Sequence, residues 1–535
     1  MILGGPERRP VSWRVAVWHR PDPLALRIAL SGVEAPLEAE LLFELDASTG
    51  LLSRNTTIHH RGAGPDIDIT ATLAFWYGIH EPIDDVRCLE GAWAQETQIR
   101  HSDGTTPLVL ESRAGKTGFA FQPYAALGSK TSTYLCQIFW SGNWALRIEP
   151  SPDGTAVFGG LSDWQFQCRL TAGGDKTLRL PTVLFGRFDG DLNAATQRLH
   201  DYRRKHRPDP ERPIPVQFNS WYPYLGEPNA AAMLALVPLA KRLGCEAFVV
   251  DAGWFRTDDD DSAADWTART GDWHTSRLRF PNGLREISAA CREQVMRFGL
   301  WFEPEVIGSL SAIRRNHPEW LHHLHGQPPP LNERAILNLG VPAARRHAFE
   351  RITRILSRVG IDWMKWDFNA DLGAGGWAPG LPESLTGQDP LVAHYEGLYR
   401  LQDAIRRWFP DLILEMCASG GGGGWTAKYC RAPMSTGSAT SPGRCASSRF
   451  ILERSWRIPQ WSAMTGLSNG LPAELPAMTT TKIPWSSLSI VTCPSGCASR
   501  CSAALGSAHR SIAGRRRTLW LPPSTSRSIA ASCVR

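Results

Sequence analysis

Residues 363–369 read WMKWDFN, a short apolar run that ends on a carboxylate and an amide. Seven residues with this aromatic content are too few for a helix and suit a buried strand. The same grammar recurs in VQFNSW (216–221), AFVVDAG (247–253), RFGLWFEP (297–304), AILNLG (335–340) and LILEMC (412–417). Amphipathic stretches such as AAMLALVPLAKRLG (231–244) and HYEGLYRLQDAIRRW (394–408) lie between them. Repeated strand–helix alternation predicts a parallel α/β architecture, as a barrel or an open sheet. Polar residues gather at the C-terminal ends of these strands: Trp221, Asp251, Glu303, Asn338, Asp367 and Cys417. Barrel enzymes carry their chemistry at that end.

Upstream, residues 1–205 read as β-rich, with runs such as AELLFEL (39–45), STYLCQIFW (132–140) and ALRIEP (145–150) separated by Gly, Asp, Asn and Pro. That pattern suits a sandwich domain. The segment LNAATQRLHDYRRKHRPDPERP (192–213) then reads as helical and ends in a Pro-rich break near 208–215. The chain of 535 residues, 42% hydrophobic and 21% charged, has material for two to four domains. Its expected divisions are a sandwich at 1–205, a catalytic α/β domain at 206–424 and a tail of low order at 425–535. No apolar run reaches the ~18 residues of a transmembrane helix. The opening MILGGPERRPVSWRV carries no signal-peptide pattern. With scattered cysteines, this gives an expectation of reduced thiols in a cytoplasmic protein that has no membrane partner. Collagen-like, coiled-coil and solenoid repeats are absent.

The net charge of +6 hides a division. After Gly424 there are 14 Lys+Arg against Glu453 and Glu474 alone, a balance of +12, so residues 1–424 carry −6. Six of the 12 cysteines and none of the aspartates lie in that tail. Strand–helix order stops at the run SGGGGG (419–424).

Several residues could carry chemistry. Asp367 follows a strand beside Lys365, whose ammonium favours an ionised carboxylate. That suits a nucleophile in glycoside chemistry, where two carboxylates flank the scissile bond. A structural Lys–Asp pair or a helix N-cap would use the same residues. Asp251, before a glycine and an aromatic, is placed to accept sugar hydroxyls or to cap the next helix. Glu303 and Glu305, two apart on a strand, would share one face and orient neighbours or form a salt bridge. Arg334 in LNERAILNL could fork onto hydroxyls or lie on the surface. Among 22 tryptophans, Trp221, Trp254, Trp273 and Trp366 are candidate platforms for a sugar face, although core packing explains most of the 22.

Three motifs do not hold up. The glycine run lacks the GK[ST] of a phosphate loop. Cys493, Cys497 and Cys501 have no histidine to complete a zinc set. The arginines at 515–517 lack the aromatic context of a nucleic-acid site.

Taken together, the strings NSWYPYLGEPN (219–229), FVVDAGWF (248–255), GDWHTSRLRFPNGL (271–284), GLWFEPEV (299–306), NHPEW (316–320), DWMKWDFN (362–369) and ILEMCASGGG (413–422) resemble the α-galactosidases of glycoside hydrolase family 36. LEGAWAQE (89–96) and SGNWALRIEP (141–150) resemble that family's N-terminal β-supersandwich. The resemblance covers about residues 40–424. It implies a supersandwich followed by a (β/α)8 TIM barrel, a retaining mechanism, and release of terminal α-galactose from oligosaccharides such as melibiose or raffinose. It implies no metal or organic cofactor and leaves open a homo-oligomer in the intact family form. On the matching positions, Asp367 is the nucleophile. Lys365, Trp366, Asn369, Asp251, Arg334 and Cys417 are sugar contacts, with the cysteine beneath the galactose. Trp221 is carried as a substrate-binding platform. Related readings are an α-N-acetylgalactosaminidase or a galactosyl transferase of the same family. Readings from other classes are a sugar-binding protein without catalysis, and a nucleic-acid binder through the basic tail, which would show steep salt dependence.

One departure is serious. The family's acid/base is an Asp in a W-x-S-D string about 20 residues beyond the glycines, and no Asp follows residue 424 here. The genetic code offers a reason. Regrouping the codons of residues 424–440 by one base permits VDREILSRAHVDWISD, with MSTGSAT (434–440) becoming HVDWISD. A frameshift in the glycine codons accounts together for the lost Asp, the charge, the cysteines and the lost periodicity. Only six barrel strands then stand in frame, so the barrel is expected to be incomplete after the sixth. The literal chain is expected to fold poorly and to hydrolyse little.

Overall fold

The computed structural model describes residues 1–3, 9–162, 166, 168–174, 177–206, 213–255, 265–323, 329–370 and 390–420. The tail at 425–535, with its cysteines, its arginine run and the regrouped codons, lies outside the described residues.

The N-terminal part is a sandwich of antiparallel sheets. Its largest sheet has ten strands and runs from Gln95–Ser102 at one edge, through Ser132–Phe139 and Leu51–His60, to Trp13–Asp22 at the other. Local rules explain its hairpins. In Leu37–Asp46, Leu37, Ala39 and Leu41 are buried and the intervening residues are not, the period of two that a half-buried strand requires. Asp46 then closes the turn by accepting the N–H groups of Ser48 and Thr49 at 3.0 and 3.1 Å. Gly50 takes φ of +75° at the return. A four-stranded sheet of Leu108–Ser112, Trp144–Ser151, Gly154–Leu161 and Phe75–Ile79 contributes Leu110, Trp144, Leu146 and Val157 to the core. Helix α1 (Leu192–His206) follows, burying Ala195, Leu199 and Tyr202.

The second part is a partial barrel of parallel strands and helices. Its parallel strands are β1 (Gln217–Asn219), β2 (Ala247–Val250), β3 (Arg297–Phe302), β4 (Trp363–Trp366) and β5 (Ile413–Met416), paired in that order. Strand β2 is buried along its whole length, as an apolar strand covered on both faces should be. Helices α2 (Ala230–Arg242), α3 (Arg285–Glu293), α4 (Pro342–Val359) and α5 (Pro390–Trp408) connect the strands. Their ends follow capping rules. The Asn229 side chain accepts the N–H of Ala232 at 3.0 Å. Pro342 opens α4, and Gly360 closes it in the left-handed region. None of the described helices is long and apolar enough to cross a membrane.

The sequence reading of sandwich followed by incomplete barrel holds, but one strand does not. The stretch 335–340 was expected in the parallel sheet, and the described sheet has five strands. Ala335–Ile336 instead pairs antiparallel with Val306–Ile307, and β3 pairs directly with β4. The run is buried throughout, which is why it imitates a core strand. It is a packed extended segment turned by Asn338, whose Oδ1 accepts the Gly340 N–H at 2.9 Å.

The sandwich and the barrel fragment share an interface built on α5. Tyr399 donates to Ser141 Oγ at 2.8 Å, Tyr395 donates to the Gly115 carbonyl, and Trp140 packs edge-on against both rings. On the other side of α5, Gly397 lies against the backbone of Leu339. A Cβ there would stand 2.0 Å from the Leu339 carbonyl oxygen. Gly397→Ala should therefore lower the melting temperature, because overpacking against immobile backbone (about 1–3 kcal/mol or more) exceeds the ~1 kcal/mol gained in helix propensity. Thermal denaturation of the two proteins checks this.

Candidate active site

Strand register decides which side chains meet. Trp301, Lys365 and Glu415 lie opposite one another across β3, β4 and β5, so they share one face. Asp367, two residues past Lys365, falls on the same side. Gly299 lies opposite Trp363, where a Cβ would come within 2.7 Å of Val249 and 3.0 Å of Trp363, so this strand position has no room for a side chain.

Asp367 is buried at the end of β4 and its carboxylate is held from three directions. Trp301 Nε1 donates to Oδ2 at 3.0 Å, while the N–H groups of Phe368 and Ser419 donate to Oδ1 at 2.9 and 3.2 Å. Burial alone would raise its pKa. The charge of Lys365 and the hydrogen bonds outweigh that and hold Asp367 below the usual carboxylate value. The result is an ionised, oriented carboxylate in a buried site.

Lys365 itself is paired elsewhere. Its Nζ donates to Asp251 Oδ2 at 2.9 Å, and Asn219 Nδ2 donates to the same oxygen at 2.8 Å. Burial would lower the Lys365 pKa, but Asp251, Cys417, Asp367 and Glu415 raise it well above its ordinary value. Asp251 caps no described helix; its Oδ1 accepts the N–H of the adjacent Ala252. Cys417 lies beneath the Gly420 N–H, at 3.4 Å, and burial followed by the Asp367 charge keeps its thiol protonated.

Asn369 is clamped through its backbone. Glu303 Oε1 accepts its N–H at 2.5 Å, and Arg334 Nη2 donates to its carbonyl at 2.7 Å. Arg334 and Glu303 close the ring at 3.5 Å. The Asn369 side chain accepts the Ser419 hydroxyl at 2.9 Å. The two glutamates of the FEPE stretch lie just past the end of β3, and Glu303 meets both readings of them, holding a neighbour and pairing with an arginine. Glu303 serves Asn369 and Arg334, and Glu305 accepts Trp366 Nε1 at 2.6 Å.

The aromatic platforms need correction. Trp254, Trp273 and Trp366 are buried, and Trp254 and Trp273 stack at 6.0 Å within a cluster that includes Phe255, Trp301 and Phe302. These rings pack the core. Strand alternation puts Trp366 on the face opposite Lys365, where it ties β4 to Glu305. Trp221 alone of the four keeps exposed surface, edge-on to Trp266. Sequence reading also passed over Trp301, Asn219 and Ser419. Each stood in a quoted string, and pairing the strands in register would have brought Trp301 to Lys365.

The Melibiase family matches residues 177–434, and the glycosyl hydrolase family 36 N-terminal domain matches residues 15–171. The likeness therefore begins earlier than the residue 40 expected from sequence. The α-galactosidase Mel36A of Lactobacillus acidophilus is 30% identical over 425 residues, which are 76% of this chain and 56% of that protein. An α-galactosidase of Escherichia coli is 29% identical over 435 residues, 78% of this chain and 58% of the other. The crystal structure of the family 36 α-galactosidase AgaA from Geobacillus stearothermophilus superposes with a TM-score of 0.71 at 25% identity, over 78% of this chain and 61% of that one. A variant of AgaA has been crystallised with stachyose. The chain thus spans a little over half the length of the relatives it matches.

The two buried glutamates carry a stability signature. Burial raises Glu305 from 4.5 to about 8 and Glu303 to about 7. Between about pH 4.5 and 8 the folded protein keeps a proton at Glu305 that the unfolded chain releases, so stability falls as pH rises through that window. Glu305→Gln keeps the acceptor for Trp366 and removes the ionisation. It should raise the melting temperature near pH 9 by several degrees and change it little near pH 4, as thermal unfolding at the two pH values would show.

Proposed function

The chain belongs to glycosyl hydrolase family 36, and from that footing we propose that it carries the sugar-binding and nucleophilic half of a retaining α-galactosidase. Asp367 carries the reading: a buried carboxylate held ionised at a strand's C-terminal end, with both oxygens oriented by N–H donors. In this reading Asp367 attacks the anomeric carbon of a terminal α-galactoside and forms a galactosyl-enzyme. Asp251 and Lys365 accept and donate to sugar hydroxyls, Trp221 offers a ring face, and Cys417 lies under the sugar. Arg334 and Asn369 border the pocket, and Trp366 supports it from behind through Glu305. Oligosaccharides such as melibiose and raffinose are the proposed substrates, and the stachyose complex of AgaA supports this substrate class.

Retention requires a second carboxylate about 5–5.5 Å away, to protonate the leaving oxygen and then activate water. We assign that role to the Asp written out of frame across Ala439 and Thr440. The absence of Asp after residue 424 supports a frame change near the glycines. The proposed domains are accordingly 1–205, 206–424 and an out-of-frame tail at 425–535. The missing Asp also favours a second reading, that the literal chain binds galactosides without turning them over.

Restoring one base in the glycine codons separates these. The restored protein should hydrolyse p-nitrophenyl α-galactoside at least about 10²–10⁴-fold faster than the literal chain. Equal, negligible rates in both would favour the binding protein. Ordinary turnover by the literal chain would contradict the missing acid/base.

A further inference from the structure

Lys116 belongs to the sandwich, yet it reaches the segment that carries Asp367. It stands in the stretch 113–119 between Leu108–Ser112 and Ala120–Gly128 and is only 3% exposed. Its Nζ lies 3.4 Å from the Ala370 carbonyl oxygen, 4.6 Å from the Phe119 ring centroid and 5.8 Å from that of Phe368. Phe368 and Ala370 flank Asn369, directly after Asp367. Lysine is among the residues least often buried, because its ammonium loses hydration and its long stem loses rotamer freedom. An apolar side chain would fill the same path at lower cost, so the position calls for a reason beyond packing.

The stretch around Lys116 is rigid. Gly115 takes φ of +76° and donates to Asn143 Oδ1 at 2.7 Å. The Lys116 carbonyl accepts Ser112 Oγ, and the Thr117 carbonyl accepts Trp144 Nε1 at 2.8 Å. The barrel end of α5 joins in through Tyr395, which donates to the Gly115 carbonyl. The ammonium is therefore delivered from a fixed base. The segment it meets is held from the barrel side by Glu303 and Arg334, on the two backbone groups of Asn369.

We propose that Lys116 is a positioning residue for the nucleophile, by which the sandwich domain holds the Asp367–Ala370 segment that Glu303 and Arg334 hold from the barrel. The proposal rests on the reading of Asp367 given above. The ammonium makes a charge-assisted contact with a carbonyl and cation–π contacts with two rings. Loss of these would let Asp367 drift from its line of attack, and displacements on the order of 1 Å cost about 10²-fold in rate.

The test uses the full chain and 2,4-dinitrophenyl α-galactoside, whose leaving group departs without acid assistance. The rate of galactosyl-enzyme formation is followed by intact mass, the adduct is located by peptide mapping, and galactose affinity is measured by calorimetry. Lys116→Met should slow adduct formation at saturating substrate about 10–100-fold and leave galactose affinity unchanged, with Lys116→Arg recovering most of the rate. A merely structural lysine would lower the melting temperature and weaken galactose binding together. Phe119→Leu, which removes only the ring beneath the ammonium, should slow adduct formation about two- to tenfold and decides the matter if Lys116→Met does not fold. An unchanged rate in these variants, with the parent forming its adduct on Asp367, overturns the role of Lys116 alone. A parent that forms no adduct on Asp367 overturns the nucleophile as well.

Discussion

The site depends on one buried ammonium. Lys365 sits among Asp251, Asp367, Glu415 and Cys417, and its charge is what allows Asp367 to stay ionised where burial would neutralise it. Its direct hydrogen bond goes to Asp251 at 2.9 Å, so two carboxylates share one cation. A buried charge without such compensation costs several kcal/mol. Asp367, whose oxygens also accept the N–H groups of Trp301, Phe368 and Ser419, is held below its usual pKa. Glu303 and Glu305, equally buried but with weaker support, go the other way. Three buried carboxyl groups, Asp367, Glu303 and Glu305, thus shift in opposite directions according to their neighbours.

Geometry around that ammonium is set by strand pairing and then locked by two domains. The register Trp301–Lys365–Glu415 puts an indole donor, an ammonium and a carboxylate in one row. Beyond the strand ends, where sheet hydrogen bonds stop, side chains take over. Glu303 and Arg334 bind the backbone of Asn369, and Lys116 comes in from the sandwich to Ala370. The Tyr395 and Tyr399 hydroxyls, buried against Gly115 and Ser141, hold the sandwich to α5 and so fix the stretch from which Lys116 projects.

Much of this was legible in the sequence because strong periodicities wrote it. The run AELLFEL (39–45), read as part of a β-rich region, lies within the strand Leu37–Asp46, whose burial alternates from Leu37 to Leu41. The segment read as helical up to the Pro-rich break forms the helix Leu192–His206. Asp251, Lys365, Asp367 and Cys417 meet because each ends a parallel strand, a rule that needs no knowledge of pairing. What was not legible depended on pairing or on distance along the chain. AILNLG is as apolar as a barrel strand, and only its partner, Val306–Ile307, reveals that it is not one. Trp254, Trp273 and Trp366 look like platforms until burial shows them packed inside. Lys116 lies some 250 residues before the segment it touches, and no local pattern could link the two.

The central claim is that Asp367 acts as a covalent nucleophile on α-galactosides even where its acid/base partner is missing. The measurement that tests it most directly is the anomeric configuration of the product formed from 2,4-dinitrophenyl α-galactoside by the full chain in azide. Attack by Asp367 followed by attack of azide inverts the anomeric carbon twice. The account therefore predicts α-galactosyl azide, lost in Asp367→Ala. β-Galactosyl azide from the full chain, the mark of a single displacement, would contradict it, and so would α-azide formation that survives the loss of Asp367.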